Sequence, residues 1–181
     1  MEVWTDQDIP DWQPGPWGDG GFFTTSHWLK KITAPNIKVV GESAFSLCWV
    51  LEEVDMPSVT TIGRFGFSSC EMLKSIDFPL LTKFNGSHPF ASCSSLVSVN
   101  LPLITELPTC AFSACTSLER VEFPLVRKVG SRAFTYCNKL KTANFPVVSY
   151  IAEGNFADCF ALTSISFGTG FSEPTEIIFE E

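Results

Sequence analysis

Hydrophobic residues return along this chain at a fixed interval. Phenylalanine stands at Phe23, Phe45, Phe67, Phe90, Phe112, Phe134 and Phe156, in steps of 22 residues with a single step of 23. Three residues later comes Ser26 and then Cys48, Cys70, Cys93, Cys115, Cys137 and Cys159. Three further on lie Leu29, Leu51, Leu73, Leu96, Leu118, Leu140 and Leu162. The next apolar columns are Ile32, Val54, Ile76, Val99, Val121, Ala143 and Ile165, then Ala34, Met56, Phe78, Leu101, Phe123, Phe145 and Phe167. Proline follows in six of seven units and Gly168 in the last. Ile37, Val59, Leu81, Ile104, Val126 and Val148, with Val40, Ile62, Phe84, Leu107, Val129 and Ile151, complete the template LxxVxFPxVxxIGxxAFxxCxxL.

Each stretch of this unit predicts an element. In "LERVEF", Val121 and Phe123 alternate with Glu122, the period of a half-buried strand. Pro124 then ends the strand, since proline cannot donate to a ladder. Stretches such as "GSRAF" and "GESAF" predict a tight turn leading into a short helical segment. Small residues ahead of the phenylalanine (Ala44, Gly66, Ala111, Ala133) allow neighbouring coils to approach closely. One unit leaves its apolar faces open above and below, so only stacking buries them and no unit folds alone. The 23-residue step contains "FNGSHPF", whose Asn85-Gly86 predicts an outward turn.

A repeat of about 20–29 residues built on L-x-x-L-x-L marks a leucine-rich solenoid. In these columns the chain resembles the BspA-like branch of leucine-rich repeats, known from bacterial and protist surface proteins. The resemblance covers residues 19–170. It implies an α/β right-handed solenoid of about seven coils of 22–23 residues, with a parallel sheet on one face and short helical turns on the other. Residues 1–18, rich in Trp and Pro, are read as an N-terminal cap, and residues 171–181 as a C-terminal capping strand or tail. One departure is visible: where the better-known repeats carry a buried asparagine ladder, this chain has the aliphatic column Ile37 to Val148. The resemblance further implies a non-catalytic recognition module, extracellular or on the cell surface, that engages a host protein or a neighbouring cell. A rigid spacer or tail-appendage component of a larger assembly is the alternative, and glycan binding by the N-terminal tryptophans is another.

Six of the seven cysteines recur in step with Phe and Leu, which places them on the inward face as small buried hydrophobes. Disulfides are disfavoured, because in-register side chains of neighbouring coils stand about 4.7–4.9 Å apart and point the same way, while a disulfide wants converging Cβ atoms. A metal centre lacks CxxC pairs and clustered histidines. A catalytic thiol lacks a histidine recurring beside it. Cys110 falls outside the column, and its equivalents are Ser43, Phe65, His88, Arg132 and Gly154. That variety predicts an exposed, reactive thiol.

Charge and composition narrow the function. Twenty acidic residues against twelve basic ones give a net charge of −8, which disfavours nucleic acid and anionic membrane surfaces. No apolar run is long enough to span a bilayer. The opening "MEVWTDQDIPDWQPGPWGDG" has neither the basic start nor the apolar middle of a secretory signal. No phosphate loop, G-x-S-x-G or H-E-x-x-H is present, so no catalytic residue, cofactor or metal is assigned. The outward strand columns supply the candidate binding face: Glu53, Asp55, Asp77, Asn100, Arg120, Glu122 and Asn144. Glu53, Asp55 and Asp77 could gather a cation, although no calcium-loop pattern accompanies them. Trp12 and Trp17, in a stretch that also holds Trp4 and Trp28, form a candidate aromatic patch, with capping of the open end as their plainer role.

Overall fold

Parallel strands form wherever the chain alternates apolar and polar residues, and they fall into two ladders. The computed structural model describes residues 23–168 together with the strand Val3–Thr5. The first ladder contains β1 (Val3–Thr5), β2 (Lys31–Thr33), β4 (Glu53–Asp55), β6 (Ser75–Asp77), β8 (Ser98–Asn100), β10 (Arg120–Glu122), β12 (Thr142–Phe145) and β14 (Ser164–Phe167). The second contains β3 (Val39–Val40), β5 (Thr61–Gly63), β7 (Lys83–Asn85), β9 (Glu106–Leu107), β11 (Lys128–Val129) and β13 (Tyr150–Ile151). Register follows the repeat: Lys31, Ile32 and Thr33 lie opposite Glu53, Val54 and Asp55, and Arg120, Val121 and Glu122 lie opposite Thr142, Ala143 and Asn144. β1 pairs with β2, which places Trp4 opposite Ile32. The rest of the proposed N-terminal cap, with Trp12 and Trp17, and the C-terminal tail lie outside the described residues.

The expected helical turns do not form: among the described residues there is no helix, and the class is all-β. The stretch around each phenylalanine is a corner in which left-handed residues stand four apart. Ser43 and Leu47 have φ of 53° and 61°, Phe65 and Ser69 55° and 60°, and Cys110 and Ala114 54° and 59°. A right-handed helix cannot contain such residues. Each left-handed residue costs roughly 1–2 kcal/mol, and the return is a set of hydrogen bonds between coils. The N–H groups of Ser43, Phe45 and Leu47 donate to the carbonyls of Arg64, Gly66 and Ser68, each at 2.8 Å. A helix would have spent these groups within its own coil.

The core is a pair of aromatic columns. Rings from Phe23 through Phe156 stack face to face, at 5.0 Å between Phe45 and Phe67 and 5.7 Å between Phe112 and Phe134. Phe78, Phe123 and Phe145 pack against this stack from the strand side, with Phe112 and Phe123 at 5.9 Å. The small column is as expected: Ala111 and Ala133 are fully buried, and a Cβ on Gly66 would meet Ile62 at 2.6 Å. At the last corner the small residue is replaced by buried Asn155. Its side chain accepts from the Ala133 N–H at 3.0 Å and donates to the carbonyls of Gly130 at 3.0 Å and Ala152 at 2.6 Å.

The 23-residue coil carries its extra residue as Gly86, since Asn85 pairs in register with Gly63 and the Phe65 N–H donates to Ser87. Gly86 takes a φ of 132° and lies against Arg64, where a Cβ would stand 2.6 Å from the arginine Cβ. Here the second ladder divides into β3-β5-β7 and β9-β11-β13. The first ladder divides at other coils, into β1-β2-β4, β6-β8 and β10-β12-β14.

Candidate functional site

Strand alternation turns one side of every β-strand outward, so the repeat builds a face from residues 22 or 23 apart. Glu53, Asp55, Asp77, Asn100, Arg120 and Glu122 are exposed on the first ladder, and Asn144 is half-buried beside them. The Asn100 side chain donates to the Asp77 carboxylate at 2.7 Å. Lys31 contacts Glu53 at 2.7 Å, and the lysine beside it holds this carboxyl below its ordinary range. Glu53 is therefore neutralised by a lysine of the preceding coil. Among the described residues no group of three metal-ligating side chains comes together. Further ion pairs join coils along the surface, Lys74 to Glu52 at 2.9 Å and Lys141 to Glu119 at 2.8 Å.

Beside this face runs an apolar ridge that the reading of strand columns missed. Leu80, Leu103, Leu125 and Val147 each follow the proline that ends a first-ladder strand, and each is 40–49% exposed. They are register equivalents, so the spacing of adjacent strands, about 4.8 Å, separates them. The signal was present in the sequence as the repeated "FPL" and "LPL", but a residue after a strand-ending proline has no alternation to tell inside from outside. Trp28, Trp49 and Met72, on the first coils, are exposed as well.

Inside, the thiols have a role beyond filling space. Each donates to the carbonyl of the phenylalanine in the preceding coil: Cys48 to Phe23 at 3.0 Å, Cys70 to Phe45, Cys93 to Phe67 and Cys137 to Phe112 at 3.2 Å, Cys115 to Phe90 at 3.3 Å, and Cys159 to Phe134 at 3.1 Å. All seven cysteines are free. Burial pushes the thiols up, Cys48 and Cys159 to about 11 and Cys93 to about 12. Cys110 departs from expectation, being half-buried, with burial raising its pKa while Arg132 opposes the shift. The variety of its column reflects the left-handed corner (Ser43, Phe65, His88, Arg132 and Gly154 all have positive φ) rather than free exposure. Thiol titration of the native protein is expected to modify at most Cys110, and slowly, with all seven reacting after denaturation. Fast reaction of several thiols before unfolding would contradict the buried ladder.

The columns, the parallel register and the six-thiol ladder describe a repeat whose family profile is known. The profile described as a BspA type leucine-rich repeat region, in six copies, matches residues 19–141 and 86–181. This chain belongs to the BspA-type leucine-rich repeat family. Two solved members of the leucine-rich class share its fold. One is a leucine rich cell surface protein from Faecalibacterium prausnitzii, 20% identical, with a TM-score of 0.60 over 92% of this chain and 60% of the other. The second is a leucine-rich repeat protein from Eubacterium ventriosum, 19% identical, with a TM-score of 0.72 over 84% of this chain and 52% of the other. The BspA-type chain thus spans between half and two thirds of these proteins. No curated protein matches it. Among the described residues no helix is long and apolar enough to cross a membrane.

Proposed function

We propose that this BspA-type repeat is a non-catalytic recognition module that binds a protein on a host or neighbouring cell, with the first ladder as its docking face. The observation that carries this reading is the ridge of Leu80, Leu103, Leu125 and Val147 beside the polar face. Contiguous exposed apolar residues rimmed by polar ones mark interaction surfaces. The face supplies the rim: Asp55, Asp77 and Glu122 favour a partner that surrounds an apolar patch with basic residues. A surface or secreted location is supported by the fold shared with a bacterial leucine rich cell surface protein.

The test is a binding screen of the full chain against extracellular-matrix proteins and glycans. The double substitution Leu103→Asp with Leu125→Asp is expected to weaken binding to the protein hit at least tenfold while leaving the thermal unfolding curve in place. Charge reversal at Asp55 and Asp77 should have a smaller, salt-dependent effect, chiefly on association rate. Binding to glycans alone, or undiminished protein binding by the ridge variant, would refute this assignment.

A further inference from the structure

The second ladder has a break in its middle. At intact joints the strand carbonyls are all taken: the Arg127 N–H donates to Thr105 at 2.8 Å, Gly130 to Leu107 at 2.8 Å, and Ala152 to Val129 at 2.9 Å. Thr82 and Phe84 are the equivalents of Thr105 and Leu107 one coil earlier, and among the described residues their carbonyls accept nothing. The residue that would serve Phe84 is Pro108, in the column of Gly41, Gly63, Gly130 and Ala152, and proline has no N–H to give. The extra residue Gly86 lies on the same side of the joint, directly after β7. Between β7 and β9 opens a cavity of about 270 Å³, lined by Thr82, Lys83 and Phe84 on one wall and by Thr105, Glu106 and Pro108 among the residues of the other.

We infer that this slot is a second binding site, which takes an extended, acidic peptide segment as an added strand on β7. An unpaired strand edge is the template for such addition, with main-chain hydrogen bonds supplying affinity. β7 ends the sheet β3-β5-β7 and presents the two free carbonyls as acceptors for peptide N–H groups. The opposite wall cannot compete for them at Pro108. Charge selects the sequence: Glu106 is satisfied by Lys128 at 3.2 Å, while Lys83 has no carboxylate partner among the described residues. A carboxylate on the peptide would meet that lysine. The volume lies just under the range of ligand pockets, about 300–1,000 Å³, which suits a few residues rather than a domain. The site does not depend on the ridge or on the first-ladder face.

The test uses the full chain and the capped tetrapeptide Ac-Val-Asp-Val-Thr-NH2, with affinity read by calorimetry. Wild type is expected to bind it, and a version N-methylated at the two central amides should bind at least tenfold more weakly. Pro108→Gly restores the missing donor, as glycine does at Gly63 and Gly130, and should weaken binding at least tenfold without lowering the unfolding midpoint. Lys83→Glu tests the charge independently and should also weaken binding severalfold. Failure of wild type to bind the tetrapeptide, or equal affinity in Pro108→Gly and Lys83→Glu, would overturn the inference.

Discussion

Raising the pH from about 8 to 11 is expected to unfold this protein in one steep transition, because its core holds thiols that the unfolded chain would ionise. The ordinary thiol value is 9.0, and in the fold Cys48 and Cys159 stand at about 11 and Cys93 at about 12, with Cys70, Cys115 and Cys137 also raised, all by burial away from water. A thiol is neutral when protonated, so the apolar core favours the protonated form. Below pH 9 both states hold their protons and the thiols leave stability unchanged by pH. Between pH 9 and 11 the unfolded chain releases protons that the folded chain retains, so stability falls as pH rises. Each fully buried thiol removes about 1.4 kcal/mol per pH unit in that window, and Cys48 and Cys159, nearer the ends, remove less. Several thiols acting together approach the whole stability of an ordinary domain, about 5–15 kcal/mol. The measurement is the urea midpoint as a function of pH. Replacing Cys93 and Cys115 by alanine should flatten the alkaline slope by about two protons. A midpoint that holds constant between pH 8 and 10.5 would be incompatible with a ladder of buried thiols.

Phe112→Ala, in the middle of the array, should be far more damaging than the same truncation at its end. The ring is fully buried and touches Phe90 at 5.5 Å, Phe134 at 5.7 Å and Phe123 at 5.9 Å. Truncating a buried phenylalanine costs about 3–5 kcal/mol through lost burial and the cavity left behind. In a linear array stability resides in nearest-neighbour contacts, so a gap in the middle uncouples the coils on either side. Phe156, at the end of the described stack and with Phe134 as its only partner in the column, should lose less when truncated. Urea denaturation of the two variants decides the matter. Equal costs at the two positions would mean that the rings do not act as a continuous column.

Legibility differed from element to element. The first-ladder strands were readable, since Val121 and Phe123 alternate with charged neighbours and a proline closes six of the seven units, whereas the short second-ladder strands, of two or three residues, were not foreseen. The inward cysteines were readable for the same reason, but their hydrogen bonds were not: spacing says that a thiol points in, and only the stacked backbone says which carbonyl it meets. The corners misled, because most residues that take positive φ there, among them Ser43, Leu47, Phe65, Cys110, Arg132 and Tyr136, do not announce a left-handed turn, and only Gly154, Asp158 and His88 are of types that favour it. The outward columns were correctly placed on one face, and the ridge beside them was overlooked because it follows a proline. Lys31 and Glu53 lie 22 residues apart, so their pairing emerges only when the register is known.

The sequence by itself determined the period, the buried columns, the first-ladder strands and the family, because each depends on residue type at a fixed local spacing. The tertiary structure alone decided that the corners are left-handed and non-helical, that each thiol bonds to the coil before it, and that the second ladder parts at Pro108. Those outcomes arise from hydrogen bonds between coils, in which a residue's partner stands one full turn away and its backbone angle is chosen to reach that partner rather than by its own side chain.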